Sequence, residues 1–152
     1  MAADPLIDRL RARPDTEWVP REGARPDDLV RLEHRLGGPL SAEHRALLVA
    51  SDGGELYGRA SALILHDVDR LVANLSDDAF TQYLPHQLVI GEDGGGHVFF
   101  VDPAAAQGAA GQPVSFVPLG ALSLRSAVPV GDSLADVVDA ILRGDRFTDR
   151  LR

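Results

Sequence analysis

An α+β fold is what this chain predicts, on three observations. Apolar residues recur at helical spacing in residues 26–36 and 41–49 and again in residues 133–142. Between them lie short apolar runs of strand character, and no regular alternation of strand and helix of the kind that builds a parallel sheet connects them. The order is helices, then mostly antiparallel strands with one insertion, then a closing helix.

Taken in order, Leu6, Ile7 and Leu10 make a short helical pattern, and Arg13-Pro14-Asp15 with the lone Trp18 before Pro20 reads as an extended lead-in lying against the domain. The next helix opens at Pro26, whose fixed φ suits a first turn. Asp27 and Asp28 complement its positive dipole end, and Leu29, Leu32 and Leu36 line one face until Gly37-Gly38-Pro39. Ser41 can cap the helix after it, in which Ala46, Leu47, Leu48 and Val49 supply the buried side before Asp52-Gly53-Gly54 turns the chain. Ala62-Leu63-Ile64-Leu65-His66 is a strand, and residues 67–75 carry Val68, Leu71, Val72 and Leu75 at helical spacing. Residues 76–86 read as polar and irregular.

Two apolar runs then flank the acidic turn Glu92-Asp93-Gly94-Gly95-Gly96 and form a β-hairpin over residues 88–102. Residues 103–113, rich in alanine and glycine, read as an exposed, mobile loop. Val114-Ser115-Phe116-Val117 and residues 122–130 add strands. Ser133 caps the last helix, in which Leu134, Val137, Val138, Ile141 and Leu142 repeat until Gly144.

Composition bounds the function. Fifteen basic residues against twenty-three acidic ones give 152 residues a net charge of -8, and every basic side chain other than histidine is arginine. Phosphate recognition rests on clustered cations, so this balance argues against free nucleic acid as a ligand and for a basic protein partner. Cysteine is absent, which removes disulfides, thiolate metal sites and cysteine nucleophiles. The N-terminus lacks the apolar core of a signal peptide, and no run approaches the ~20 apolar residues that span a bilayer, so a cytoplasmic, membrane-free protein is expected.

Leu32-Glu33 with Leu36-Gly37, Leu40 and the helix to Leu48, and Asp52-Gly53-Gly54 follow one another in an order that resembles the N-terminal signature of the SUKH superfamily, the Smi/Knr-like domains. Val89-Ile90-Gly91, the turn at Asp93-Gly94-Gly95-Gly96, the strand to Val101-Asp102 and the terminal Ser133-Leu134 helix continue the resemblance, which covers roughly residues 24–144. Leu40-Ser41 and His44 stand where the family commonly shows Leu-Pro and a Tyr. The resemblance implies a central, mainly antiparallel sheet flanked by helices and a role in protein binding. In bacteria it implies an immunity protein that neutralises a cognate polymorphic toxin, often a nuclease. The organisation expected is a lead-in over residues 1–22, the SUKH-like domain over 23–148 and a tail over 149–152.

Asp52, Glu55, Glu92, Asp93 and Asp102 lie at element ends or turns and are the candidates for an acidic, partner-binding face, with Tyr57 as an aromatic anchor. Their alternative is a local one, since aspartate stabilises turns by itself. Phe99 and Phe100 point to opposite faces of a strand, so one of them anchors a partner if its face is open, and both are core if it is covered. None of His34, His44, His66, His86 and His97 falls in a His-Glu-x-x-His pattern. The Gly94-Gly95-Gly96 triplet lacks the lysine and following helix of a phosphate loop. No catalytic residue, metal or cofactor is expected. The rivals are a regulatory or scaffolding domain docking on a resident protein, and a small hydrolase built on a His and carboxylate pair such as His66-Asp67 or His97 with Asp102.

Overall fold

A computed structural model describes residues 5–10, 15–106 and 110–151. Among them, seven strands form one antiparallel sheet in which spatial order follows chain order: β1 (Glu17–Pro20), β2 (Gly54–Tyr57), β3 (Ala62–Leu65), β4 (Leu88–Glu92), β5 (His97–Val101), β6 (Val114–Pro118) and β7 (Val128–Gly131). The helices are α1 (Pro5–Arg9), α2 (Pro26–Leu36), α3 (Ala42–Ala50), α4 (Val68–Asn74), α5 (Asp78–Tyr83) and α6 (Leu134–Arg143). This is the α+β architecture the sequence predicts. None of the helices is long and apolar enough to cross a membrane.

Helix ends form where the sequence supplies partners for orphan backbone groups. Ser41 Oγ accepts from His44 N, Ser133 Oγ accepts from Asp136 N, and Gly37 and Gly144 stop α2 and α6 at φ of 81° and 92°. A long-range contact adds to this. The Glu43 carboxylate of α3 accepts from Leu134 N at 2.6 Å and Ala135 N at 3.0 Å, placing a negative charge on the N-terminus of α6.

One face of the sheet carries the main core. Leu56, Leu63, Leu65, Ile90, Phe99 and Phe116 pack there against leucines of α1, α2 and α3 and the apolar stripe of α6. Trp18 lies on this face too, with its ring so close over Gly54 that a Cβ there would sit 2.4 Å from it. The expected lead-in therefore supplies α1 to the core and β1 to the sheet.

The second face is covered only in part. Val89, Val98, Phe100 and Val117 pack there against Phe80 of α5 and Leu84 just after it, with Leu122 and Ala127 alongside. Phe99 and Phe100 are thus both core, on opposite faces.

Four local expectations are corrected. Residues 76–86 are not irregular, because Asp77 accepts from Phe80 N and starts α5. In 122–130 only the end is strand; Leu122 and Ala127 fold instead over the second face. Val49 is 56% exposed, and His44 takes a buried place on α3. The loop over 103–113 begins with a 3-10 turn at Pro103–Ala106, and it buries Ala106 and Gln112, whose amide donates to Asp102 O. Residues 107–109 of that loop lie outside the described residues, as do 1–4, 11–14 and 152.

Candidate protein-interaction surface

The covered part of the second face lies over β4, β5 and β6. Over β1, β2 and β3 no element among the described residues covers it, and the alternation of side chains brings Glu17, Val19, Glu55, Tyr57, Ala62 and Ile64 out on it. Val19 is 38% and Tyr57 37% exposed, and Ile64 belongs to neither core cluster.

Glu92 joins this group through an irregularity. Val89 pairs with Phe100 and Gly91 with Phe99, so Ile90 is an extra residue, a β-bulge. Strict alternation from Val89 would turn Glu92 into the main core. The bulge reverses the parity, and Glu92 lies beside Ile64 on one side and Val98 on the other. Gly91 fits the bulge because a Cβ there would meet Ile64 O at 2.6 Å. The resulting row across four strands reads Val19, Glu55, Ile64, Glu92.

The structure thus brings together Glu55, Tyr57 and Glu92 of the sequence-derived candidates, and it sets Asp52, Asp93 and Asp102 to local tasks. Asp52 Oδ1 accepts from Val68 N at 2.8 Å at the start of α4, and burial pushes its carboxyl above the usual range against that hydrogen bond. Asp93 Oδ1 accepts from Gly95 N and His97 N, and its Oδ2 lies 2.8 Å from His97 Nδ1. Asp102 Oδ1 accepts from Ala104 N. Glu17 and Val19 were missed in the sequence, although their alternation with Trp18 was available as a signal.

On the open half the carboxylates are less engaged. Tyr57 Oη donates to Glu55 Oε1 at 2.5 Å, which holds the phenol proton on and raises its pKa. Glu92 Oε2 lies 3.8 Å from His66 Nε2, beyond a hydrogen bond. His66 is buried, and the Asn74 amide, which donates to Val89 O, also lies 2.9 Å from its Nδ1. An amide nitrogen can only donate, so Nδ1 accepts and Nε2 carries the proton. That Nε2 has no hydrogen-bond partner. Burial lowers the His66 pKa, so the ring is neutral.

The histidines do not converge. His66 meets Glu92 on the second face, while His97 stacks on Phe116 of the main face with ring centroids 4.9 Å apart and bonds Asp93. His44 is buried in α3, with its pKa lowered to about 4 by desolvation. His86 lines a cleft of about 510 Å³ with Leu36, Phe80 and Leu84, and no carboxylate lines that cleft. Among the described residues no cluster of three or more His, Asp or Glu could hold a metal ion.

The sequence profile of the SMI1/KNR4 family (SUKH-1) matches residues 23–140, which runs from just after β1 into α6. No curated protein matches the chain.

Proposed function

Since the chain belongs to the SMI1/KNR4 family (SUKH-1), we propose that it is a non-catalytic protein-binding domain, and more specifically a cytoplasmic immunity protein that binds and neutralises a cognate bacterial toxin. The observation that carries this reading is the divided second face. A fold that recruits α5 and residues 122–127 to cover one half of a sheet face, and leaves Val19 and Tyr57 exposed on the other beside a half-buried Ile64, has the form of a molecule with a reserved contact surface. The net charge of -8 suits a basic partner such as a nuclease, since complementary fields speed encounter and reject wrong partners. His66 and His97 meet carboxylates other than the Asp67 and Asp102 expected of a hydrolase, Glu92 and Asp93, and do so on opposite faces of the sheet, which favours the binding reading over a hydrolase that uses both.

The test is co-expression with the product of the adjacent gene in a host sensitive to it. Survival together with a co-purifying complex is the expected outcome. Death of the host with no complex would move the reading to a regulatory domain that docks on a resident protein.

A further inference from the structure

Resting on that reading, we propose that the β1–β3 half of the second face receives an arginine-bearing apolar protrusion of the partner, with Ile64 as floor, Glu55 and Glu92 as flanking carboxylates, and Val19 and Tyr57 as walls. Three independent observations point to this occupant.

The first is register. Glu55, Ile64 and Glu92 are direct cross-strand neighbours on three adjacent strands. Strands lie about 4.8 Å apart, so the two carboxylate-bearing positions bracket the isoleucine at a separation of about 10 Å. An arginine lays its aliphatic stem on an apolar floor and extends its planar fork to a carboxylate, and this spacing accommodates that shape.

The second is the distribution of counterions. Elsewhere six carboxylates have arginine partners: Asp139 with Arg9, Asp67 with Arg21, Asp28 and Asp69 with Arg31, Glu33 with Arg45, and Asp145 with Arg143. Among the described residues no arginine pairs with Glu17, Glu55 or Glu92. Arg59 and Arg70, which come from the adjoining segments, are turned to Arg143 O and Asn74 Oδ1. No described arginine pairs with a carboxylate of this face, which suits it to a cation carried by a partner. A second copy of the same chain is a poor occupant, because it would set carboxylates against carboxylates.

The third is the buried His66. Its Nε2 proton points toward Glu92 without reaching it, so a donor and an acceptor on this face both have unmet capacity. A guanidinium that fixes Glu92 over Ile64 leaves the second oxygen of that carboxylate free to accept a hydrogen bond from the imidazole N–H.

The experiment uses the full chain and the capped peptide Ac-Arg-Leu-Arg-amide, followed by amide chemical shifts, so it does not depend on the identity of any toxin. Saturable millimolar perturbation is expected at residues 17–19, 54–57, 62–66 and 91–92. Glu55→Arg/Glu92→Arg should weaken it at least about tenfold, while Asp27→Arg/Asp149→Arg leaves it unchanged. Trp18 fluorescence, which reports the opposite face of the same strands, verifies that the variants fold. Perturbation centred elsewhere, none at all, equal loss in both double variants, or a dimer in sedimentation that Glu55→Arg/Glu92→Arg abolishes would overturn the proposal. Failure of the survival test with this peptide map intact sinks the immunity role alone; a rescued host with the map absent sinks the surface alone.

Discussion

Phe100 and Tyr57 stand on the same face of the same sheet, three strands apart, and meet opposite surroundings. Phe100 is 3% exposed among Phe80, Leu84 and Val117, whereas Tyr57 is 37% exposed and its hydroxyl bonds only the neighbouring glutamate. The difference does not come from the strands themselves, since both alternate in the same way. It comes from what is inserted between them: α5 before β4 and residues 119–127 after β6 fold back over one half, and the short turn over residues 58–61 between β2 and β3 has nothing to fold back. Cover over this sheet is thus decided by the face onto which each connection folds, for α2 and α3 between β1 and β2 pack on the main face and leave the second face over those strands without a described element.

The largest break in that comparison is removal of the two aromatics. Phe100→Ala should cost about 3–5 kcal/mol of unfolding free energy, the range for emptying a packed aromatic site. Tyr57→Ala should stay within about 1 kcal/mol, as for a surface position. Urea unfolding measures both, and equal losses would mean that the two halves are equally engaged in the fold.

Acid acts on the buried histidines of both sides of the sheet. His44, on the covered helical side, stays neutral in the fold down to about 4 because burial disfavours its charged form, while in the unfolded chain it protonates near 6.5. The unfolded state therefore takes up the extra proton between those values. Stability should be intact above about pH 6.5 and fall by about 3 kcal/mol as pH drops toward 4. His66, lowered in the same direction, adds to the loss. His44→Gln should flatten this limb in unfolding curves taken across the window.

The smallest contrast lies among the carboxylates. Asp52→Ala removes the acceptor for Val68 N and should cost about 1–2 kcal/mol. Glu92→Gln, with no hydrogen bond to lose, should change thermal stability by less than about 0.5 kcal/mol. A large effect at Glu92 would mean that its role is internal to the fold.

Much of the frame was legible beforehand, for local reasons. The apolar spacing of α2 and α6, their glycine stops, the serine caps at Ser41 and Ser133 and the hairpin over β4 and β5 all rest on contacts within a few residues. The strand at β2 and the helix α5 were not legible. β2 has four residues and gains its identity only from partners on both sides, while α5 has six and a single buried anchor in Phe80.

The same distinction governs the site. Asp93 and Asp102 sit in glycine and proline turns, where an aspartate that bonds the backbone two residues on is a local signal. That Glu92 faces outward beside Ile64 depends on a one-residue bulge and on strand register, neither of which a pattern of residue types encodes.

The central claim, that the uncovered half of the sheet is where this protein meets its partner, is tested most directly by calorimetric titration of the full chain with the inactivated product of the neighbouring gene. The account predicts at least about a hundredfold weaker binding for Glu55→Arg/Glu92→Arg, as expected when unlike charges become like at the centre of an interface, and less than about threefold for Asp27→Arg/Asp149→Arg on the helical side. Equal affinity for the two double variants would contradict it.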